Sequence, residues 1–208
     1  MTSAHTTFIK NARRARYFLA VHKAVYGGRG APQNPLRELP RGAIVFAVGA
    51  LDAYLSDVSA EVMIAQCQKG PLTAEAREAM KQVQRELPGL ALEVSLMSEQ
   101  SDRMDRIKQA IVDHFQTSVS MHGSKGVSTT VQRMGGSPRA IWDGMKEAGW
   151  NEPADRLDEW TAKRHDIVHR GITVSVRREK ARYCIDLLVE IAARVEGLAQ
   201  AAIDALDA

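Results

Sequence analysis

Two arginines and two histidines lie within seven residues in the segment KRHDIVHRG, which runs from Lys163 to Gly171. Histidine exchanges protons near neutral pH, whereas arginine stays charged and can grip phosphate oxygens at two points. A site that combines the two side chains therefore suits proton transfer beside a phosphate. Polar groups of this kind are costly to bury unless something uses them, so Arg164, His165 and His169 are candidate functional residues.

The segment is predicted to form the last turns of an amphipathic helix. On such a helix Arg164 and His169 lie about 140° apart around the axis and about 7.5 Å apart along it. His165 and His169 are four residues apart and share a face. Between these polar edges run the apolar residues Ile167 and Val168, which we expect to face a core.

Other helices are predicted from apolar residues at three- and four-residue spacing. A first helix covers about residues 3–26, and YGGRGAPQNPLRELPRG (26–42) is predicted to be a loop. The clearest pattern follows, and its apolar stripe consists of Ile44, Val48, Leu51, Leu55, Val58 and Val62. A shorter helix is predicted from Thr73 to Pro88, and another from Ser101 to about Val119, while residues 89–98 are ambiguous.

The second half of the chain contains one segment predicted to be a loop, SMHGSKGVSTTVQRMGG (120–136), because it is rich in glycine and small polar residues. Lys125 and Arg133 would flank it, either as contacts for a polyanion or as ordinary solvated side chains. Ser137 is predicted to cap the next helix, Asn151 to cap the helix of the KRHDIVHRG segment, and Gly171 to end that helix. A long final helix should begin near residue 177.

Composition agrees with a helical fold, because aromatic residues are scarce at 5% while helix-forming residues are common. We predict a single all-α domain over residues 1–208, an antiparallel helical bundle with an extra N-terminal helix. Residues 1–41 would form that basic helix and its loop, and residues 43–207 the core bundle. No apolar run suggests a membrane span or a signal peptide, so a cytoplasmic location is expected. Cys67 and Cys184 are expected to be buried free thiols.

The positive charge is concentrated in two places. Residues 1–41 carry eight basic side chains against Glu38 alone, and residues 163–182 carry seven against two acids. Such islands suit a polyanion, although solvated helix faces produce the same pattern. The basic residues that would contact a polyanion such as a nucleic acid are Lys163, Arg170, Arg13, Arg14 and Arg16.

The residues from Arg164 to His169 have the form R-polar-x-x-x-H, the signature of the HEPN superfamily of helical bundles. The segment LDEWTAKRHDIVHRG resembles the motif helix of that family, although Asn is commoner there than His at position 165. The segment FAVGALDAYLSDVSAEV resembles its early helix, which typically reads aaxxALExYLxxl. Their order and separation suit the RiboL-PSP-HEPN branch, and the resemblance covers roughly residues 43–200.

The resemblance implies a metal-independent endoribonuclease acting on single-stranded RNA, without a cofactor, at a site shared by two motif helices of a homodimer. His169 would carry proton transfer, Arg164 would bind or orient the phosphate, and His165 would orient the pair or contact RNA. Asp166 would fix an imidazole tautomer. Such nucleases often serve as toxins or phage-defence effectors, so an antitoxin or defence-system partner protein is also expected.

Three other interpretations stay open. Arg164 would be purely structural if it paired with an acid such as Asp52, with His169 a satisfied interface histidine. The protein would be a non-catalytic RNA- or protein-binding dimerisation module if catalysis had been lost. Metal binding would need ligands from His165, His169, Asp166, His122 and His114. No third ligand lies at a spacing in the sequence that is typical of metal sites, so we predict no metal site.

Overall fold

The computed structural model describes residues 1–26, 34–117, 122–171 and 175–206, and all of the regular structure in this part of the chain is helical. The predicted all-α helical bundle is confirmed. The helices in the described ranges are α1 (Ser3–Val25), α2 (Asn34–Lys69), α3 (Ala74–Glu86), α4 (Leu90–Leu96), α5 (Gln100–Thr117), α6 (Gly123–Arg133), α7 (Pro138–Glu147), α8 (Pro153–His169) and α9 (Arg178–Asp204).

Helix α2 is the central element, because α1, α5, α6, α8 and α9 all pack against it. Every residue of its predicted apolar stripe, from Ile44 to Val62, is buried. By length and composition alone, α2 is the one helix among the described residues that could cross a membrane. However, 67% of its most apolar 18-residue stretch is buried inside the protein. A core helix of a bundle has the same properties.

Two hydrophobic cores share α2. The larger one contains side chains of α1, α2, α6, α7, α8 and α9, and those from α1 include Phe8, Ala12, Ala15 and Leu19. The smaller one joins Ala60 and Met63 of α2 to α3 and α5. The three tryptophans pack in or against the larger core, so their indole rings serve the fold.

The predicted burial of the cysteines is half confirmed. Cys184 is completely buried on α9, but Cys67 is exposed, so its predicted burial is wrong. The physical reason lies in the last turns of α2, where Gln66 takes the buried position and Cys67 falls on the next side of the helix.

The predicted loop at 120–136 is wrong over Gly123–Arg133, which form helix α6, whereas residues 134–136 lie outside any helix as predicted and residues 120–121 lie outside the described part. Low helix propensity at its glycines, serines and threonines suggested a loop, but tertiary packing overrides propensity. Val127, Thr130 and Val131 are buried on one face of α6. Arg133 is also buried, and its guanidinium lies 4.2 Å from the centre of the Phe115 ring, so it does not flank a loop.

The predicted loop at 26–42 is likewise wrong from Asn34 onward, where α2 begins, while residues 27–33 lie outside the described part. Pro35 suits a first helical turn because its missing N–H would have no partner there. Pro40 lies inside the helix and removes one hydrogen bond. Arg41 is buried and pairs with Glu38, and this packing extends the helix through Pro40. The ambiguous segment forms α4. Thr73 is the N-cap of α3, and its side chain accepts a hydrogen bond from the backbone N–H of Ala76. Ser137 occupies the predicted N-cap position of α7, although its side chain makes no capping hydrogen bond.

Candidate functional site

The KRHDIVHRG segment occupies the last two turns of α8, as predicted. The helix begins at Pro153, but its N-cap is Glu152 rather than the predicted Asn151. Glu152 adopts a left-handed backbone with φ of 42°, and its carboxylate lies 2.9 Å from the Lys146 ammonium, which ties the turn to α7. Gly171 follows the helix with φ of 60°, a conformation that favours glycine, and so ends it as predicted.

Arg164 lies on the side of α8 that packs against the rest of the bundle, although its side chain is only half-buried. Its Nε atom is buried and has no hydrogen-bond partner among the described residues. Its recorded interaction is electrostatic, with the carboxylate of Asp52 on α2. The two side chains form no ion pair within 4.0 Å in the described structure, so the guanidinium keeps its hydrogen-bonding capacity for another acceptor.

Asp52 instead pairs closely with His122, which lies at the N-cap of α6. The distance between His122 Nδ1 and Asp52 Oδ2 is 2.7 Å. Burial raises the pKa of Asp52 to about 6, and the neighbouring His122 and Arg164 oppose that rise. Asp52 therefore links the motif arginine to a histidine 42 residues before it in the chain.

The start of α6 is fixed against α8. Asp158 accepts hydrogen bonds of 2.7 Å from both the backbone N–H and the hydroxyl group of Ser124. Gly123 has φ of 66°, and a Cβ atom there would collide with the Asp158 carboxylate, so the position requires glycine. These contacts hold His122 beside the motif helix.

His165 and His169 share a face of α8, as predicted from their spacing. Their ring centroids are 4.8 Å apart, with an angle of 44° between the planes, and both residues are exposed. Ile167 is half-buried and Val168 is 46% exposed, so the expectation that both face the core of the chain is wrong for Val168. The end of α8 thus presents two imidazoles beside an uncovered apolar residue.

Asp166 forms an ion pair of 3.3 Å with Arg170, one turn along the helix. No contact in the described structure joins Asp166 to an imidazole, and its predicted role with a tautomer stays a hypothesis. Lys163 lies with its ammonium 4.2 Å from the centre of the Trp160 ring. It also lines a cavity of about 380 Å³ between α8 and the start of α9.

The three N-terminal arginines predicted to contact RNA are exposed on α1. Arg16 forms an ion pair of 2.8 Å with Asp186 of α9, and Arg14 donates a hydrogen bond to Asn11. Helix α1 packs mainly against α2 and α9, and no recorded side-chain contact joins Arg13, Arg14 or Arg16 to α8. Their part in RNA binding stays a prediction.

The residues considered as metal ligands are not brought together. Within the described ranges there is no group of three or more His, Cys, Asp or Glu side chains that would hold a metal ion. His114 is buried on α5 and lies 2.7 Å from Glu86 of α3, while His122 pairs with Asp52.

Sequence reasoning named Asp52 only as a structural partner of Arg164 and His122 only as a metal ligand. It did not predict that the two would pair with each other beside Arg164. Chain separation hid the arrangement, because α2, α6 and α8 meet only in the folded bundle. A partner for Asp52 could have been predicted from the sequence, because a carboxylate beside the apolar stripe of a central helix is costly to bury alone.

The raised pKa of Asp52 predicts a pH dependence of stability. The folded state holds the carboxyl proton of Asp52 more tightly than the unfolded chain, in which the pKa of the group is 3.8. Ionisation of Asp52 therefore lowers the free energy of unfolding as the pH rises from about 4 to above 6. At 1.36 kcal/mol per pKa unit the loss is about 3 kcal/mol. Asp52→Asn cannot ionise, so wild-type stability relative to this variant should fall over that interval. Urea unfolding at several pH values measures the difference, and a difference that stays constant would contradict the assignment.

Comparisons of the chain with protein-family models, with curated proteins and with solved structures find no match. The resemblance seen in α2 and α8 therefore rests on the motifs themselves.

Proposed function

We propose that this chain is a metal-independent endoribonuclease of the RiboL-PSP-HEPN kind, acting on single-stranded RNA. The observation that carries the proposal is the state of Arg164. Its buried Nε has no partner in the described structure, and it lies on the same helix end as the exposed imidazoles of His165 and His169. A buried guanidinium nitrogen without a hydrogen-bond partner is costly unless a ligand uses it.

The chemistry of RNA cleavage fits these side chains. It needs a base for the 2′-hydroxyl, an acid for the 5′-oxygen and a cation beside the phosphorane. His169 can exchange a proton near neutral pH, and Arg164 can bind two phosphate oxygens. His165, whose ring packs against that of His169, would orient it or contact RNA. None of these steps requires a metal ion or a cofactor.

The packing of α2 against α8 also supports the proposal, because the two segments that resemble HEPN helices are neighbours in the bundle. A toxin or phage-defence role, with an antitoxin or defence-system partner protein, is part of the same proposal. It rests on the resemblance, as does a cytoplasmic location.

The proposed assembly is a two-fold homodimer with the ends of two α8 helices near the axis. Val168 is 46% exposed and lies between the arginine and histidine edges of α8, so a second copy would cover it. Light scattering at micromolar concentration should therefore give about twice the 22.9 kDa mass of one chain. A Val168→Asp variant should shift the protein toward monomer, whereas Leu92→Asp, at an exposed leucine on α4, should not. A clean wild-type monomer would contradict the shared site.

The central test is cleavage in the presence of EDTA. The purified protein should cut single-stranded RNA and leave 2′,3′-cyclic phosphate or 3′-phosphate ends, because the neighbouring 2′-hydroxyl attacks the phosphate. DNA of the same sequence lacks that hydroxyl and should be resistant. Loss of cleavage in EDTA would instead favour a metal-dependent site. RNA binding without cleavage would favour the non-catalytic module.

A further inference from the structure

A third histidine lies outside the α8 motif but within its electrostatic neighbourhood. His122 Nδ1 is 2.7 Å from the carboxylate of Asp52, and the same carboxylate interacts electrostatically with Arg164. The side chain of Asp52 is only 14% exposed, whereas that of His122 is 45% exposed. The pair therefore consists of a buried carboxylate and an imidazole that solvent and substrate can reach.

The position of His122 is not explained by helix capping. His122 is the N-cap residue of α6, yet its side chain makes no capping hydrogen bond. Its ring faces Asp52 instead, while the contacts of Gly123 and Ser124 with Asp158 hold the backbone against α8. Contacts from α2, α6 and α8 thus position the imidazole, although it caps no helix.

The chemical role open to His122 depends on which of its two ring nitrogens contacts Asp52. With Nδ1 only 2.7 Å from the carboxylate oxygen, the carboxylate favours the tautomer that carries the proton on Nδ1, which leaves the lone pair of the neutral ring on Nε2. The carboxylate fixes the tautomer and stabilises the imidazolium that forms when Nε2 takes up a proton. A histidine held in this way is suited to act as a general base.

We infer that His122 is a second proton-transfer residue of the site around Arg164, with Asp52 as its positioning residue. The inference rests on the proposed ribonuclease function. Nε2 of His122 takes the proton of the 2′-hydroxyl as the 2′-oxygen bonds to phosphorus. The 5′-oxygen leaves with the electron pair of its phosphorus bond and takes a proton from protonated His169 of the same or the partner protomer. The products are a 2′,3′-cyclic phosphate and a 5′-hydroxyl, and the two histidines return to their starting states by proton exchange with water.

The test compares His122→Ala, Asp52→Asn and the control Gln132→Ala, an exposed residue of α6, on a 5′-labelled single-stranded RNA oligonucleotide in EDTA. Loss of a general base typically lowers the rate about 10²–10⁴-fold, so His122→Ala should fall by that factor and the control should not. Added imidazole should restore part of the rate to His122→Ala. Circular dichroism and light scattering should show each variant folded and in the wild-type assembly.

A second measurement does not depend on activity. Nitrogen-15 NMR of the histidine rings should show His122 protonated at Nδ1 in the wild-type protein and a changed tautomer mixture in Asp52→Asn. A wild-type rate in His122→Ala beside an inactive His169→Ala would overturn the inference and leave the ribonuclease proposal standing. Wild-type protein that does not cleave RNA would overturn both, and an unchanged tautomer in Asp52→Asn would overturn the role of Asp52.

Discussion

Replacing His169 with alanine is expected to lower the rate of RNA cleavage about 10²–10⁴-fold, the usual contribution of general acid–base catalysis. The imidazole is exposed at the end of α8, and its ring contact within the described residues is with His165, so its removal should leave the fold intact. Single-turnover cleavage of a labelled RNA oligonucleotide in EDTA measures the rate of the chemical step. Thermal unfolding of the variant checks that the loss is not a loss of structure.

The neighbouring histidine provides the matched control for this prediction. His165→Ala removes the same kind of side chain from the same face of α8, one turn earlier, and should cost less if His165 only orients its partner. A well-folded His169→Ala protein with full activity would show that this motif is not the nuclease site. Equal losses in the two variants would instead place both rings in proton transfer.

Arg164→Ala is expected to lower the rate about 10²–10³-fold, by analogy with other electrostatic stabilisers of a developing charge. The guanidinium forms no ion pair in the described structure, so the variant should still fold. Arg164→Lys keeps the charge but not the two-point grip on phosphate, and should recover only part of the rate. The rate constants are measured with the RNA oligonucleotide already used for His169→Ala.

Two controls make the arginine result specific. Arg85→Ala removes an equal charge from an exposed position on α3 and should leave cleavage unchanged. A mixed dimer with Arg164→Ala in one chain and His169→Ala in the other shows whether the protomers share their sites. An Arg164→Ala protein that retains the wild-type rate would assign the residue to a structural pair with Asp52.

The fold could largely be predicted wherever apolar spacing was regular. The stripes on α1, α2 and α9 marked helices whose buried faces the structure confirms almost residue by residue. Helix α6 could not be predicted with the same rules, because propensity at Gly123, Ser124 and Gly126 opposes a helix. The buried residues Val127, Thr130 and Val131 have helical spacing but span little more than one turn.

The site could be predicted only where its residues lie close together in sequence. The spacing of Arg164, His165 and His169 within α8 fixed which side chains share a face. The pairing of Asp52 with His122 depends instead on how α2, α6 and α8 pack, and no local pattern encodes that packing. The exposure of Val168 was also missed, because an apolar residue on an amphipathic helix is ordinarily assigned to the core.

The two cysteines differ in exposure, so each chain has one cysteine thiol that a labelling reagent can reach. Cys184 is sealed inside the larger core, and burial raises its thiol pKa, so a maleimide or spin label will not reach it while the protein is folded. Cys67 is exposed at the end of α2, where a label reports on the central helix from outside the site. Chains labelled separately with donor and acceptor dyes can therefore be mixed without engineering the sequence, and energy transfer between them would follow subunit exchange in the proposed dimer.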